Sequence, residues 1–229
     1  MGAGRRGDDR HPRTDPHRAA GSATMTDQSR PIEDAIRARR SVRGLDGPPL
    51  SAEEVEALVA LALTAPAPHH TRPWRFVEIG PTRRETLADA MGAAWRRDLE
   101  DDAQPSKAVE RALDRSRARI TGAPTLLLGC LVADGLKRYT DERRWRAEWG
   151  LAQHSFGAAL QNLLLAASAR GLGAYWISAP LYAPDEVRAT LDLDATWEPQ
   201  AFVALGHPRD DYRPFDRPTP DLGTEFTRR

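Results

Sequence analysis

Apolar positions recur at helical spacing in some parts of the chain and form short continuous runs in others. In residues 145–169 they fall three and four positions apart, which predicts the longest helix of the molecule, with a wide apolar face. Residues 125–132 contain three consecutive leucines, a pattern typical of a strand that is buried on both faces. Because predicted helices and strands are interleaved around this long helix, the pattern favours an α+β fold of two or three layers.

Local signals predict where the other helices begin and end. Pro31 stands before apolar residues at helical spacing and predicts a short helix that ends at the arginines from Arg39 onward. Ser51 and Glu54 form a capping-box pattern, which predicts a helix from there to about Thr64. Three more helices are predicted: one capped by Thr82 and Glu85, a charged helix that ends near Arg119, and a short helix opened by Pro184.

Further strands are predicted at residues 74–79, 174–177 and 201–205, which are rich in aromatic and β-branched or otherwise apolar residues. Gly171 follows the long helix and is predicted to be its C-terminal cap, whereas Gly173 is left available for the close approach of a ligand. The tail from Pro208 onward is rich in proline and arginine. We expect it to be extended and to lie on a partner surface, such as a second copy of the chain.

Composition indicates a globular protein. Of 229 residues, 40% are hydrophobic and 29% charged, so the chain can bury one sizeable core. Residues 1–28 lack apolar periodicity and are predicted to be a disordered N-terminal extension, in which Met25 is a second candidate for the true start. Residues 29–229 are then a single domain with an extended C-terminal tail.

Charge and apolar content exclude two classes of partner. Basic and acidic residues number 33 each, so no net charge draws the chain to nucleic acid or to an anionic membrane. No apolar stretch reaches the roughly 20 residues of a membrane helix. The single cysteine, Cys130, lies in an apolar run, and we expect a buried structural thiol in a cytoplasmic protein.

A cluster of basic residues follows the first predicted helix. Arg39, Arg40, Ser41 and Arg43 place three guanidinium groups and a hydroxyl within five residues. Forked guanidinium groups pair with two phosphate oxygens at once, and a hydroxyl can donate to a third, so this cluster suits a phosphate group. Taken alone, the cluster is explained more simply as a solvated helix end in an arginine-rich chain.

The loop at residues 65–74 is the second candidate. Its three prolines predict a stiff, extended support from which His70, Thr71 and Arg72 present polar groups to the rim of a planar ring. A zinc site at His69 and His70 is the rival interpretation, but adjacent histidines in an extended loop point apart and no third ligand has suitable spacing. A proline-ordered surface turn is the plain alternative.

Residues 171–176 lack the glycine spacing and strand-to-helix order of a dinucleotide-binding fingerprint.

Three segments together resemble the flavin-dependent nitroreductase family. Its opening motif of basic, any, serine, any, basic residue matches residues 39–43, its Ala-Pro segment ending in Pro-Trp matches residues 65–74, and its Gly-Leu-Gly strand entry matches residues 171–173. The resemblance implies a three-layer sandwich with a central, mostly antiparallel sheet and a long central helix. It also implies an FMN cofactor and a homodimer with the flavin between the subunits.

Within this family the chain is similar to the reductase domain at the C-terminal end of coenzyme F420:L-glutamate ligases, at residues 63–73, 95–99 and 197–199. That similarity implies ping-pong hydride transfer through flavin N5 to a dehydro precursor of the deazaflavin coenzyme F420, with NAD(P)H or reduced F420 as hydride donor. A general nitroreductase or ene-reductase and a non-catalytic FMN- or F420-binding module are the alternatives.

The resemblance also implies roles for individual residues, with no catalytic side chain because the flavin carries the hydride. His69, His70 and Thr71 are expected to contact a small-molecule substrate, and Arg72 the flavin. No metal, nucleic acid or membrane is expected. The remaining cofactor contacts expected are the phosphate and ribityl group, the ring group and the tail group: Arg39, Arg40, Ser41 and Arg43; Trp176, Ile177, Ser178 and Ala179; Arg213 and Arg217.

Overall fold

The computed structural model describes residues 25–229, with side chains from residue 31 onward. The described residues divide into two compact units, one that ends at Arg37 and one that spans Ala38–Arg229. The first helix, α1 (Met25–Ala38), begins six residues before the predicted start at Pro31 and carries an ion pair between Glu33 and Arg37. The predicted N-terminal extension lies outside the described residues up to position 24, and its last four residues belong to α1.

The larger unit alternates helices and strands, as the apolar pattern predicts. Its elements in chain order are β1 (Leu45–Asp46), α2 (Ala52–Ala62), β2 (Trp74–Glu78), α3 (Pro81–Asp101), α4 (Ser106–Thr121), β3 (Thr125–Leu131), α5 (Glu142–Ala169), β4 (Gly173–Ile177), α6 (Pro184–Leu191), β5 (Glu198–Pro208) and α7 (Leu222–Glu225), with short 3₁₀ turns at Pro68–His70 and Ala179–Tyr182.

The five strands form one sheet in which every pairing is antiparallel. β5 is central: it pairs with β3 on one side, while β4 and β1 also pair with it, and β2 lies beyond β3. A register shift between Gly129 and Cys130 interrupts the β3–β5 ladder. β2 and β4 are therefore separated by two strands, and this separation decides which parts of the candidate site one chain can bring together.

Two apolar cores cover the two faces of the sheet, because successive strand residues point to opposite sides. Leu127 of β3 and Val203 of β5 pack against α2 and α5. Leu128 and Phe202 point the other way, against α3, α4 and α6. The result is a three-layer sandwich with the longest helix, α5, in one outer layer. The predicted fold is confirmed, and β3 is buried on both faces as its leucine run indicates.

Helix starts agree with the sequence at one site and differ at another. The Ser51 hydroxyl accepts from the Glu54 amide while the Glu54 carboxylate accepts from the Ser51 amide, so the predicted capping box is confirmed. The prediction that Thr82 caps α3 is wrong. Pro81 occupies the first helical position after Gly80 and supplies the helix start without a side-chain cap.

The two glycines around β4 have different roles from one another. Gly171 has φ +73° and ends α5, as predicted. Gly173, which the sequence left available to a ligand, is instead covered by its own chain. A Cβ there would lie 2.6 Å from Leu45 Cδ2 and 3.0 Å from Val42 Cγ1. The glycine therefore permits the segment before β1 to pack on β4.

Cys130 is fully buried in the second core, and burial raises the pKa of its thiol to about 12, as a structural thiol requires. The last strand extends well beyond the predicted residues 201–205. Within the residues that the structure describes, no helix is both long and apolar enough to cross a membrane.

Candidate functional site

The basic segment, residues 39–43, is held between the sheet and the C-terminal tail. The Val42 amide donates to the Ala174 carbonyl at 3.0 Å, which aligns the segment with β4. On its other side the Arg209 amide donates to the Gly44 carbonyl at 3.0 Å. A Cβ on Gly44 would lie 2.5 Å from the Tyr212 ring. The tail therefore packs directly on the end of the segment, where only a glycine fits.

Arg39 has an unusual environment for an arginine. Its Nε atom is buried and has no hydrogen-bond partner among the described residues, while its carbonyl accepts from Arg217 at 2.6 Å and from Arg40 at 3.0 Å. Burial, followed by the charges of Arg217 and Arg40, lowers the pKa of Arg39. Guanidinium groups from two parts of the sequence, residues 39–40 and residue 217, thus lie near one another.

A cavity of about 530 Å³ opens beside β4, within the size range of small-molecule sites. It lies between the end of β4 with its following 3₁₀ turn and the helices of the second layer. A smaller cavity of about 240 Å³ adjoins it and shares Arg43, Arg119 and Tyr175 with it. The larger cavity is lined by Arg43, Met91, Trp95, Ala112, Arg115, Ser116, Arg119, Tyr175, Trp176, Ile177, Ser178, Ala179, Tyr182 and Ala183.

Positive charge surrounds Tyr175 at one end of this cavity. The Arg43 guanidinium lies over the Tyr175 ring, 6.0 Å from its centre. Burial raises the pKa of Tyr175, and the charges of Arg119 and Arg43 partly oppose that shift. Nearby, the indole N–H of Trp176 donates to the Ser178 hydroxyl at 2.8 Å, which fixes the edge of an exposed aromatic ring. The wall thus combines flat apolar surface with cationic groups.

Sequence reasoning found only part of this lining. Five of the predicted cofactor contacts line the cavity together: Arg43, Trp176, Ile177, Ser178 and Ala179. The contributions of α3 and α4, chiefly Trp95, Arg115, Ser116 and Arg119, were missed. Arg115 and Arg119 are spaced four residues apart on one helical face, but a charged helix offers many such pairs, so spacing alone could not single them out.

The loop at residues 65–73 differs from the extended support predicted for it. Pro68–His70 form a 3₁₀ turn in which His69 and His70 both have left-handed φ values, 54° and 55°. The Thr71 amide and hydroxyl both donate to the Pro68 carbonyl, at 2.9 and 2.7 Å. This pair of bonds closes the turn, which is why proline stiffness does not keep the loop straight.

A buried carboxylate anchors that turn. Glu148 of α5 is 4% exposed and accepts from the Lys137 amide at 3.0 Å, and its Oε1 lies 2.9 Å from Nε2 of His69. His69 therefore has a structural partner inside its own chain, whereas His70 and Arg72 are exposed. In the described part of the chain, no three histidine, cysteine or acidic side chains are grouped to hold a metal ion.

One chain does not bring the loop and the basic segment together. The loop leads into β2, whereas the segment lies on β4, and β3 and β5 run between those strands. At about 4.8 Å per strand, β2 and β4 are roughly 14 Å apart. Arg217 reaches Arg39, but Arg213 donates only to the nearby carbonyls of Asp210 and Tyr212.

This fold and cavity define an α+β sandwich with a cationic, partly aromatic ligand site at the end of one strand. The model of a family described as "Nitroreductase family" matches residues 36–207, and the chain belongs to that family. The prediction of an oxidoreductase of this family is confirmed.

Individual proteins to which the chain is similar support this family membership. The chain is 32% identical to a 5,6-dimethylbenzimidazole synthase from Rhodospirillum rubrum, over 80% of this chain and 82% of the relative. It is 28% identical to a nitrobenzene nitroreductase from Ectopseudomonas oleovorans, over 72% and 86%. A nitroreductase from Desulfovibrio desulfuricans, solved in complex with FMN, superposes with a TM-score of 0.62 at 26% identity, over 82% of this chain and 92% of that one.

Proposed function

We propose that the cavity binds FMN and that the chain transfers hydride from a reduced donor to a small planar acceptor. The observation that carries the proposal is the buried, partnerless Nε of Arg39, on the same segment as Arg43, which lines the cavity. The related protein solved with FMN supports the choice of flavin. A ligand with an anionic end and a flat ring fits this pair of features.

The phosphate end is assigned to Arg39, Arg40, Ser41 and Arg217. Arg39 and Arg217 come from opposite ends of the larger unit and meet through a 2.6 Å hydrogen bond. Four residues of backbone separate Arg39 from Arg43 and span at most roughly 14 Å, so the cationic cluster and the cavity are within reach of one elongated ligand. A phosphate there would accept charge-assisted hydrogen bonds from these guanidinium groups.

The ring end is assigned to the cavity wall formed by Trp176, Ile177, Ser178 and Ala179. When bound, FMN supplies a carrier of two electrons that accepts and returns hydride. Arg43 and Arg119 place positive charge beside the ring site, which favours the electron-rich form of a bound ring. Trp176 and Tyr182 flank the site with flat apolar surface that orients planar molecules.

The acceptor class proposed is a nitroaromatic compound, on the strength of the family and of the relative that acts on nitrobenzene. The overall two-electron reaction is donor–H plus one proton plus R–NO₂ giving oxidised donor, R–NO and water. The described lining of the cavity within one chain contains no carboxylate or histidine.

We also propose that the working unit is a homodimer. His69, His70, Thr71 and Arg72 lie across the sheet from the cavity of their own chain. A second copy could present its loop to that cavity and supply the substrate contacts and the Arg72 contact that the family motif implies. The exposed Phe215, Leu222 and Phe226 of the tail offer apolar surface for such an association.

A finer assignment, reduction of a dehydro precursor of coenzyme F420, is favoured by the motif at residues 63–73. The cationic cavity suits an anionic substrate of this kind. The function proposed for the chain is nevertheless the general one, FMN-dependent reduction of a small planar acceptor. Reduced F420 remains a candidate donor beside NADH and NADPH. The similarity to a 5,6-dimethylbenzimidazole synthase adds a third product to assay.

The first experiment titrates FMN into apoprotein and follows quenching of flavin fluorescence. We expect the Arg39→Ala and Arg43→Ala double variant to bind at least ~100-fold more weakly, since each charge-assisted hydrogen bond contributes about 1.5–3 kcal/mol. An Arg111→Ala and Arg138→Ala double variant removes two exposed arginines outside the cavity and should bind like the wild type. Equal affinity for all three proteins would contradict FMN binding at this site.

The second experiment mixes the holoprotein with NADH, NADPH or reduced F420 in a stopped-flow instrument. Rapid bleaching of the flavin by one donor, followed by reoxidation with nitrobenzene, supports the proposed reaction. Reoxidation only by the dehydro F420 precursor would select reduction of that precursor as the function. Formation of 5,6-dimethylbenzimidazole would select the reaction of the synthase. A binding module would show no rapid bleaching with any donor.

A further inference from the structure

Three arginines converge on the large cavity without a counter-ion. Arg43 and Arg119 flank Tyr175, and Arg115 lies one helical turn before Arg119. Among the residues that the structure describes, no carboxylate pairs with any of the three, and the cavity lining contains no acidic side chain. All three arginines are exposed, so an anion that enters the cavity can pair with them without displacing a carboxylate.

The neighbouring helix face shows that this chain does pair its arginines elsewhere. Arg117, also on α4, forms ion pairs with Glu85 and Asp89 of α3. Arg96 of α3 pairs with Glu110 of α4 through two hydrogen bonds of 2.7 and 3.0 Å. The interface between these helices therefore contains several ion pairs, whereas the part of the described cavity lining that α3 and α4 contribute holds no carboxylate. An anion that enters the cavity thus meets arginine side chains and no acidic group on this wall.

The three arginines do not occupy equivalent places. Arg43 and Arg119 also line the smaller cavity beside Tyr175, and the proposed function uses them for the flavin ring. Arg115 lines the larger cavity but not the smaller one, and its side chain is exposed. The aromatic side chains Trp95 and Tyr182 line that same cavity and are 37% and 81% exposed. Beyond the residues that the proposed function uses for the flavin, the site therefore offers the guanidinium of Arg115 and the rings of Trp95 and Tyr182.

We infer that the acceptor is a planar aromatic molecule that carries an anionic group, and that Arg115 binds this group while Trp95 and Tyr182 contact the ring. The inference rests on the proposed function, because it assigns the flavin to the remainder of the cavity. A carboxylate can accept two parallel N–H donors from one guanidinium, which a neutral group of the same shape cannot do. Arg115 then selects among acceptors without taking part in hydride transfer.

The test compares 4-nitrobenzoate with its methyl ester as acceptors for the FMN-loaded protein. The pair differs in charge but has the same reducible nitro group. We expect Arg115→Gln to lower kcat/KM for 4-nitrobenzoate about tenfold, mainly through KM, and to change kcat/KM for the ester less than twofold. Arg111→Gln, one turn earlier on α4 and outside the cavity, is the matched control and should leave both values unchanged.

A binding measurement that does not depend on turnover accompanies the kinetics. The dissociation constant of 4-methoxybenzoate, which has no nitro group, is read from tryptophan fluorescence of the holoprotein. It should rise about tenfold in Arg115→Gln and less in Arg115→Lys, which keeps the charge but loses the fork. Unchanged affinity in both variants would overturn the assignment of Arg115.

The remaining outcomes separate the two proposals. If neither acceptor is reduced, the proposed function fails and the inference fails with it. If both acceptors are reduced and Arg115→Gln affects them equally, the inference alone is overturned. If Arg115→Gln raises the KM of NADPH but of neither acceptor, Arg115 binds the phosphate-bearing donor, and the assignment to the acceptor is overturned.

Discussion

At the scale of single residues, Arg217 is the tail arginine that the structure brings to the basic segment. Its guanidinium donates to the Arg39 carbonyl, whereas Arg213 donates to carbonyls of its own turn. We expect Arg217→Ala to weaken FMN binding about tenfold, because a cationic group near the phosphate is lost. Isothermal titration calorimetry on the apoprotein measures the affinity.

Arg213→Ala is the matched control for that variant. It removes an arginine four residues away in the same tail and should change the affinity less than threefold. A larger loss for Arg213→Ala than for Arg217→Ala would reverse the assignment. Sequence alone left both arginines as candidates, because the choice depends on a hydrogen bond between residues 178 positions apart.

The same physical limit explains which cavity residues could be predicted. Arg43 belongs to the basic motif, and the residues from Trp176 to Ala179 follow the Gly-Leu-Gly strand entry, so the resemblance to the family could single them out as site candidates. Arg115 and Arg119 face the cavity only because α4 packs on α3 in one particular rotation. A helix with charges on several sides does not reveal that rotation, so no local pattern could identify them.

At the scale of elements, helix starts test how well local signals work. Ser51 caps α2 through a reciprocal pair of hydrogen bonds, whereas Thr82 makes no cap for α3. We expect Ser51→Ala to lower the free energy of unfolding by about 1 kcal/mol, the usual cost of a lost cap. Thr82→Ala should change it by less than about 0.5 kcal/mol. Urea denaturation measures both.

FMN-free protein is the proper sample for this comparison, since bound ligand adds its own stability. A cost for Thr82→Ala as large as that for Ser51→Ala would mean that Thr82 caps α3 after all. The two positions carry similar sequence signals, a hydroxyl residue with glutamate three positions later. They differ because Pro81 already fixes the first turn of α3.

Other elements were harder to predict because their causes are not local. β1 has two residues and exists only through pairing with the end of β5. β5 itself begins at Glu198, earlier than its apolar run, because Leu131 and Cys130 of β3 pair with Glu198 and Pro199. The turn at His69 and His70 depends on Glu148, 79 positions from His69. Such pairings are set by the tertiary fold, and sequence periodicity does not contain them.

At the scale of the whole molecule, the order of strands separates the two halves of the family's site motif. The cavity belongs to the β4 side of the sheet, and the loop of His70 and Arg72 belongs to the β2 side. A shared site between two copies resolves this separation without moving either element. The prediction that follows is complementation between two inactive variants.

The first variant carries Arg39→Ala and Arg43→Ala, and the second carries His70→Ala and Arg72→Ala. If each site takes its basic segment from one copy and its loop from the other, a mixed dimer has one site with both halves intact. We therefore expect co-expression of the two variants, followed by purification through two different tags, to restore about half the activity of the wild-type dimer. The measured quantity is nitroreductase activity per dimer in the presence of saturating FMN.

Homodimers of each variant, in which the two copies carry the two different tags, are the control and should stay inactive. If both halves of a site came from the same chain, every site of the mixed dimer would carry one damaged half. Activity would then stay at the level of the single variants. His70, Arg72 and Arg43 are exposed and Arg39 is half-buried, so these substitutions remove side chains without emptying the core. Lost activity therefore reports the site rather than unfolding.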